Sequence, residues 1–440
     1  MPVMSVAADE PGIKPNRILG CRTGPEAGPT LVIVGGIHGN EPSGLIAAER
    51  VLAALEEAGL PRRGRVVALR GNLTALVACD PKSRGCPRYI DVDLNRLFDS
   101  SSPNGVAEGV EHRERRALEA AIGREVAEAR GRVYLIDLHT VSSDSPPFVA
   151  VEDSLAARRF AMAFPLPKIL GIEEELRGLL IDDATNRLGC ISMVIESGRH
   201  DDPFSIDVHE AAIWLALAES GIVPLDAVEH AEDPRALLRR AARGRAGHFY
   251  EIRYREVIRS RDFRIRPGID AFVPVRAKRT VIAEQDGQPL VAPVGGLVFM
   301  PNRQTDPRPG DDAYFIVGRV GRVWLRMSAW LRTKRWVHAI QPVVLPGVRR
   351  RPGHEHDLLV APEIAVIFRH QLFHLLGYRV IRRGPQEFAS PPARAVRAVR
   401  AVVAALWRLA VGVLRGGERA ALPTERPDDW IVRRRKLDVD

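Results

Sequence analysis

The sequence predicts an α/β fold with a mostly parallel sheet flanked by helices, a smaller β-rich domain and a helical C-terminal extension. In the first half, short apolar runs alternate with longer segments rich in Ala, Leu and Glu, as strands and helices alternate in β–α–β units. From about residue 247 the runs are short, β-branched and separated by Gly and Pro, which is typical of β-rich domains. After about residue 345 the pattern is helical again. We therefore predict three parts, at 1–235, 247–345 and 346–440.

The strands predicted within 1–235 are almost continuously apolar, as expected for strands that helices cover on both faces. Pro42 opens the first predicted helix, a position where the missing N–H and the fixed φ of proline are tolerated. In chain order we predict strands at 17–22, 31–36, 65–70, 132–140, 148–151, 168–172 and 190–195, and helices at 42–58, 107–130 and 208–219.

The composition is that of a globular protein, with 45% hydrophobic and 27% charged residues. The net charge of +9 comes mostly from arginine and lies largely after residue 235; it indicates either an anionic partner or a GC-rich genome. The four cysteines form no CxxC pair and suggest no disulfide framework, which favours a reducing compartment. No secretory segment and no run of 18 apolar residues is found, so we expect a cytoplasmic protein.

The stretch LVIVGGIHGNEPSG, residues 31–44, organises the rest of the chain. Its apolar run predicts a buried strand, and His38 and Glu41 follow on the loop after the carboxyl end, where open α/β sheets place their ligands. An imidazole and a carboxylate on one loop can both bind one cation, and zinc accepts this pair when a third ligand comes from elsewhere. The alternative is a strand-to-helix turn with incidental polar residues, so a third ligand decides between the two interpretations.

Two further polar groups are predicted at carboxyl ends of strands. His139 would complete a His₂Glu set with His38 and Glu41, a catalytic zinc pattern that leaves a position for water. Glu196 is a candidate general base that accepts the proton of that water. Asp137, two residues before His139, could orient its imidazole. Taken singly, His139 could be a histidine with ordinary hydrogen bonds within the fold, and Glu196 could be a carboxylate exposed to solvent. Their shared position at strand ends favours a metal site.

A long loop supplies positive charge to this predicted site. It contains the run Arg88-Tyr89-Ile90-Asp91-Val92-Asp93-Leu94-Asn95-Arg96. Arg88 could stabilise a developing oxyanion, because a guanidinium aimed at that oxygen acts most strongly in the transition state. Asn95 and Arg96 could bind a substrate carboxylate, Arg96 through two parallel hydrogen bonds. The alternative is a solvated, charged loop.

Four motifs together resemble the succinylglutamate desuccinylase/aspartoacylase family, which belongs with the zinc carboxypeptidases: GGIHGNEPSG, RYIDVDLNRLF, LIDLHT and the strand end Glu196-Ser197-Gly198. The resemblance covers roughly residues 30–200. It implies a zinc-carboxypeptidase-like sheet, removal of an acyl group from an N-acylated amino acid, and a β-rich C-terminal domain that narrows the site. It also implies the residue roles: zinc on His38, Glu41 and His139, Glu196 as general acid/base, Arg88 as the carbonyl-polarising group, and Asn95 and Arg96 on the substrate carboxylate.

The extension beyond residue 345 has a signal of its own. Five arginines fall within one sector of a predicted helix over 393–415, namely Arg394, Arg397, Arg400, Arg408 and Arg415. Such a basic amphipathic helix either lies on an anionic membrane or packs on protein or on a second subunit, and we favour packing. The histidines of this part lack an HExxH pattern, so we expect no second metal site. The basic tail lacks a DNA-binding motif, so we expect no nucleic-acid partner.

The sequence thus predicts a zinc-dependent amide hydrolase, with one Zn²⁺ per chain, that acts on a small carboxylate-bearing substrate such as an N-acyl amino acid. The main enzymatic alternative is a metallocarboxypeptidase acting on a short or cell-wall peptide. An alternative of another class is a catalytically degenerate binding or regulatory protein. A homo-oligomer is compatible with the sequence.

Overall fold

The computed structural model describes residues 16–79, 85–98, 109–304, 307–334, 347–354, 356–361, 373–382 and 430–434. The chain divides into two compact units. Unit 1 consists of Met1–Glu152 and Ala156–Val320, and unit 2 consists of Asp153–Leu155 and Gly321–Asp440.

Unit 1 alternates strands and helices up to residue 241 and is rich in strands after it. Its strands are β1 (Ile18–Thr23), β2 (Glu26–Gly35), β3 (Arg63–Arg70), β4 (Val133–Val141), β5 (Phe148–Val151), β6 (Lys168–Leu170), β7 (Ile191–Arg199), β8 (Phe249–Val257), β9 (Arg264–Ile265), β10 (Pro274–Val275), β11 (Val281–Gln285), β12 (Gln288–Val291), β13 (Gly296–Phe299) and β14 (Asp312–Val320). Its helices are α1 (Ser43–Glu57), α2 (Leu73–Val77), α3 (Val110–Glu128), α4 (Leu155–Ala161, which begins at the unit boundary), α5 (Ile172–Glu175), α6 (Leu180–Asn186), α7 (Phe204–Ser220) and α8 (Pro234–Ala241), with 3₁₀ turns at Leu94–Arg96 and Leu225–Ala227.

Eleven strands form one sheet in the order β1-β3-β2-β4-β7-β5-β6-β8-β14-β13-β10. At its centre β3, β2, β4 and β7 run parallel, which confirms the predicted α/β fold. The residues Leu31–Val34 of β2 are buried, because helices cover both faces of the sheet there. Pro42 is the N-cap of α1 rather than its first residue.

The β-rich stretch differs from the predicted separate domain at 247–345. β8 pairs with β6 in parallel, with Lys168 opposite Phe249, and β14, β13 and β10 continue the same sheet. β12, β11 and β9 form a small sheet of their own. Without β8, the outer side of β6 would be an edge with unpaired N–H and C=O groups, so pairing across it is favourable. The boundary between the two units therefore falls at residue 320 and not at 345.

Unit 2 contains α9 (Arg322–Arg332), β15 (Val348–Arg350), β16 (Asp357–Val360), β17 (Tyr378–Arg382) and β18 (Trp430–Arg434). Its four strands pair antiparallel in the order β15-β16-β18-β17. The described residues of 346–440 thus form strands where we predicted helices, because short runs rich in Leu, Val and Ile pair across long sequence separations. The predicted helix at 393–415 lies outside the described residues. Among the helices of the described part, none is long and apolar enough to cross a membrane.

Candidate metal centre and cavity

The polar groups predicted at strand ends meet at one edge of the central sheet. β2, β4 and β7 are parallel neighbours, so their carboxyl ends lie side by side. His38 and Glu41 follow β2, and His139 of β4 lies directly opposite Glu196 of β7 in the sheet register. Residues separated by more than 150 positions in the chain therefore share one site.

Three buried side chains form the centre of this site. The Nδ1 atom of His38 lies 2.9 Å from Oε1 of Glu41, and Nδ1 of His139 lies 3.1 Å from Oε2 of the same carboxylate. One donor atom from each residue lies within 4.8 Å of the other two. The backbone N–H of Thr140 also donates to Oε2 of Glu41, at 3.0 Å, which fixes the carboxylate between the two rings.

The outer nitrogen of each imidazole faces another carboxylate. Nε2 of His38 lies 3.0 Å from Oδ1 of Asp93, and Nε2 of His139 lies 2.9 Å from Oδ2 of Asp137. A carboxylate can only accept, so Nε2 of His38 carries the proton and its Nδ1 keeps a lone pair that faces Oε1 of Glu41. Nε2 of His139 lies close to Asp137 as an ion pair without hydrogen-bond geometry. Acceptors that face each other at this distance need a cation or further protons between them. The site therefore fits a metal ion, and two imidazoles with one carboxylate are ligands that zinc takes.

At the centre, oppositely charged neighbours outweigh burial and shift the pKa values of Glu41 and His139. Burial raises the pKa of Glu41, but the two histidines outweigh burial and hold that pKa well below its usual value. Burial lowers the pKa of His139, but the carboxylates of Asp137 and Glu41 outweigh it and raise the pKa well above the usual value. Both directions show an environment that stabilises positive charge between the rings and Glu41.

Asp93 lies within the site, and the sequence did not indicate this. Besides His38, it contacts the guanidinium of Arg88, with NH2 3.3 Å from Oδ2, and it accepts from the N–H of Asn95 at 2.9 Å. Burial raises the pKa of Asp93, but His38 and Arg88 lower it well below the usual value. A histidine that binds a metal usually donates its other N–H to a carboxylate, so a carboxylate beside His38 was expected. No spacing in the sequence shows that this carboxylate is Asp93.

Arg88 lies beside the centre and lines the cavity. Its NH1 donates to Oε1 of Glu41 at 2.9 Å, and the pKa of Arg88 is raised because Asp93 and Glu41 outweigh the effect of burial. The two loops approach closely: the N–H of Gly39 donates to the carbonyl of Arg88 at 3.0 Å, and a Cβ at Gly39 would lie 2.5 Å from the carbonyl oxygen of Pro87. Glycine at position 39 is therefore required for this approach.

The cysteines differ from the prediction. Cys79 and Cys86 form a disulfide, with Cα atoms 4.0 Å apart, whereas the sequence suggested no disulfide framework. The C-x₆-C spacing does not show this pairing, because a disulfide depends on how close the two Cα atoms lie in the fold. Cys86 borders the cavity two residues before Arg88, and Cys21 and Cys190 are free thiols.

Glu196 has one carboxylate oxygen, Oε2, that is buried and lacks a hydrogen-bond partner among the described residues. The pKa of Glu196 is raised to about 8, mainly by burial. Among its neighbours, His139 lowers this pKa and Glu41 raises it. A carboxylate that changes protonation near neutral pH, beside a metal centre and with a free oxygen, can transfer protons to and from a substrate.

A cavity of about 1370 Å³ opens beside the centre. Its wall includes His38, Glu41, Arg88, Asp93, Arg96, His139 and Glu196, and the loops around β14 add Arg308, Asp311 and Asp312. The β-rich part of unit 1 thus contributes to the wall.

Arg96 and Asn95 take different positions. Arg96 lines the cavity, with NH2 3.1 Å from Oδ2 of Asp312, and Nε of Arg255 lies 2.6 Å from the other oxygen of that carboxylate. The two guanidinium groups thus share the single carboxylate of Asp312. The side-chain oxygen of Asn95 accepts from the N–H of Leu180 at 2.9 Å, and Asn95 is buried and does not line the cavity. In this structure Asn95 supports the loop.

Arg308 is a second cavity residue that the sequence analysis missed. The other arginines of the cavity wall pair with a carboxylate of the chain: Arg88, Arg96, Arg199, Arg255 and Arg303. Within the described part of the chain, Arg308 instead lies over the ring of Tyr89, 5.4 Å from its centroid, with NH1 3.3 Å from the hydroxyl. Its charge is therefore not neutralised by a carboxylate there.

The chain matches known proteins over the segment that contains the centre. Residues 27–212 match the model of the succinylglutamate desuccinylase/aspartoacylase catalytic domain. An aspartoacylase from Xenopus tropicalis is 32% identical over 127 residues, which cover 28% of this chain and 38% of that protein. A succinylglutamate desuccinylase from Pseudomonas fluorescens is 33% identical over 120 residues, which cover 26% of this chain and 33% of that protein. The match thus spans about a third of the length of these relatives.

Solved structures of the same group are also similar. A succinylglutamate desuccinylase from Vibrio cholerae aligns with a TM-score of 0.48 and 18% identity, over 67% of this chain and 83% of that one. An aspartoacylase family protein from Mesorhizobium loti aligns with a TM-score of 0.48 and 20% identity, over 69% and 88% of the two chains.

Proposed function

We propose that this protein, whose residues 27–212 belong to the succinylglutamate desuccinylase/aspartoacylase family, is a zinc-dependent hydrolase that cleaves the amide bond of an N-acyl amino acid or a similar small carboxylate-bearing amide. The observation that carries the proposal is the buried set of His38, Glu41 and His139, in which both inner ring nitrogens face one carboxylate. Three ligands leave a coordination position free, as catalytic zinc sites require. The curated relatives are named for the removal of acyl groups, which supports this reaction.

The residues around the centre have separate roles in the proposed reaction. A zinc ion held by His38, Glu41 and His139 would acidify water and polarise a carbonyl. Glu196 accepts the proton of the attacking water on its partnerless oxygen and later donates a proton to the leaving amine. Arg88, held in place by two carboxylates, supplies positive charge next to the developing oxyanion without having to reorganise.

The substrate carboxylate binds on the arginine side of the cavity. Arg96 and Arg255 share the carboxylate of Asp312, and the planar guanidinium of Arg96 can present two parallel N–H groups to a substrate carboxylate. Arg308 adds a guanidinium that no carboxylate of the described residues neutralises, and it would receive a second anionic group of the substrate. We expect Arg96 to bind one anionic group of the substrate and Arg308 to bind another. The distance between these two groups would then determine which acyl group and which amine the enzyme prefers.

A metallocarboxypeptidase is the second candidate, because the cavity is larger than the roughly 300–1,000 Å³ usual for small-molecule sites. The test is a panel of N-acyl amino acids and of short peptides, each incubated with the zinc-loaded protein, with amine release measured. We expect release from N-acyl amino acids to exceed release from peptides. The opposite order would establish the peptidase, and release from neither, with zinc bound and the fold intact, would make the protein a binding protein.

A further inference from the structure

Positive charge is concentrated in unit 2. Residues 321–440 contain 23 Lys and Arg against 10 Asp and Glu, whereas residues 1–320 contain 41 against 45. The proposed site residues and the family match both lie within 1–320. The excess positive charge of the chain therefore lies in a stretch of sequence that contains none of the proposed site residues, and such asymmetry is typical of proteins that bind an anionic surface.

Helix α9 of unit 2 buries polar side chains. Arg332 is fully buried, and its NH2 lies 2.8 Å from Oδ2 of Asp153. Ser328 is also buried, and its hydroxyl donates to the carbonyl of Leu375 at 2.8 Å. The inner face of α9 is thus held by hydrogen bonds and an ion pair rather than by apolar packing alone, which fixes which side of the helix faces out.

The outer side of α9 carries an apolar stripe. Val323, Met327 and Trp330 are 79%, 43% and 56% exposed. Their spacing of four and three residues puts them on one side of the helix. Of the seven large hydrophobic residues that are exposed in the described part of the chain, three belong to this single helix of 11 residues. An ordinary surface helix shows mainly polar side chains to water, so an apolar stripe on the outer side of α9 is unusual.

Cations border the stripe. Arg322 and Arg326 of α9 are exposed, and Nζ of Lys334, just beyond the helix, lies 5.5 Å from the ring centroid of Trp330. α9 contains no Asp or Glu that could pair with these charges along the helix.

We propose that the outer face of α9 binds the surface of an anionic lipid membrane, with the helix parallel to the surface. An amphipathic helix with basic residues beside a Trp-containing apolar face is suited to the boundary between headgroups and acyl chains. A second copy of the chain fits less well, because its own stripe would bring like charges together. A nucleic acid would satisfy the arginines but would not bury Val323 and Met327. This inference does not depend on the proposed catalytic function.

The test is sedimentation of the full-length protein with vesicles of phosphatidylcholine alone or of phosphatidylcholine mixed with phosphatidylglycerol. We expect binding to the anionic vesicles only, and release by high salt. Arg326→Gln should weaken binding roughly fivefold, the effect of one basic residue at an anionic surface. Met327→Gln should weaken it several-fold through loss of the apolar contact. Met162→Gln, in unit 1, is the matched control, because Met162 is 63% exposed as well.

Several results would overturn the proposal. Failure of the wild-type protein to sediment with anionic vesicles would exclude it directly. Equal loss of binding in the Met327 and Met162 variants would show that α9 is not the contact. If Met327→Gln instead converts a dimer to a monomer in sedimentation velocity, the stripe is a subunit interface. If DNA competes fully with the vesicles and Met327→Gln has no effect, the basic residues bind nucleic acid and the stripe has no part in it.

Discussion

At the residue scale, the metal ligands give the most direct prediction. The wild-type protein should hold one zinc ion per chain, and His139→Ala should lose it, because a His–Glu pair alone leaves the ion with two protein ligands. Zinc content after dialysis, measured by mass spectrometry, checks this. His354→Ala is the control, since His354 is half exposed and remote in sequence from the ligands. Full zinc occupancy in His139→Ala would show that the ligand assignment is wrong.

Substitution of Glu196 can distinguish zinc binding from catalysis of the hydrolysis. Glu196→Gln keeps the size of the side chain but cannot accept a proton, so zinc should stay bound while turnover falls by roughly 10²–10⁴-fold, the usual effect of losing a general base. Turnover and zinc content are measured on the same preparation. Near wild-type turnover would remove Glu196 from the mechanism, and loss of zinc would make Glu196 a ligand.

Substitution of Arg96 tests whether this side chain binds the carboxylate of the substrate. Arg96→Lys keeps the charge but loses one of two parallel hydrogen bonds, so kcat/KM for a free-acid substrate should fall by an amount equivalent to about 1.5–3 kcal/mol. An amide-capped analogue never makes that contact and should lose little. Arg303→Lys is a matched control, because Arg303 also lines the cavity and its side chain is 31% exposed against 33% for Arg96. If Arg96→Lys slows both substrates equally, Arg96 only holds the loop through Asp312.

At the element scale, β6 contains a buried lysine. Nζ of Lys168 donates to the carbonyl of Leu166 at 3.0 Å and to that of Phe164, and burial lowers the pKa of Lys168 to about 8. Below pH 8 both the folded and the unfolded chain carry the proton, and the unfavourable burial of charge is fully present. Between pH 8 and the ordinary lysine value near 10.4, the unfolded chain binds more protons, so the free energy of unfolding rises with pH.

Lys168→Met should abolish this rise. The free energy of unfolding, measured in urea at pH 7 and pH 10, should increase with pH in the wild type relative to the variant, by about 3 kcal/mol at most. Other groups titrate in both proteins and cancel in the comparison. An identical pH dependence of the two proteins would show that Lys168 has an ordinary pKa in the folded state.

At the scale of the whole molecule, the two proposals assign separate roles to the two units. Met327→Gln should therefore leave turnover of a soluble substrate unchanged, because Met327 lies in unit 2 and the described residues that line the cavity all belong to unit 1. Glu196→Gln should leave vesicle binding unchanged. Measuring both properties on both variants checks this, and a loss of turnover in Met327→Gln would show that the units depend on each other.

The sequence by itself determined the parallel core of the sheet and the identity of the central residues. Buried parallel strands read as apolar runs, and their carboxyl ends must share one edge, so His38, Glu41, His139 and Glu196 could be placed together before any coordinates. The motifs of residues 30–200 added the resemblance to a family, since a motif records the order and spacing of residues directly.

Only the tertiary structure decided which groups support that centre. Three contacts depend on where loops from distant parts of the chain come together: Asp93 beside His38, Asp312 between Arg96 and Arg255, and the guanidinium of Arg308 over the ring of Tyr89. The same holds for the strands of unit 2, since β16 and β18 pair across more than 70 residues. Local periodicity reflects burial within one element, whereas pairing between distant segments depends on backbone hydrogen bonds and charges that have no short-range signature.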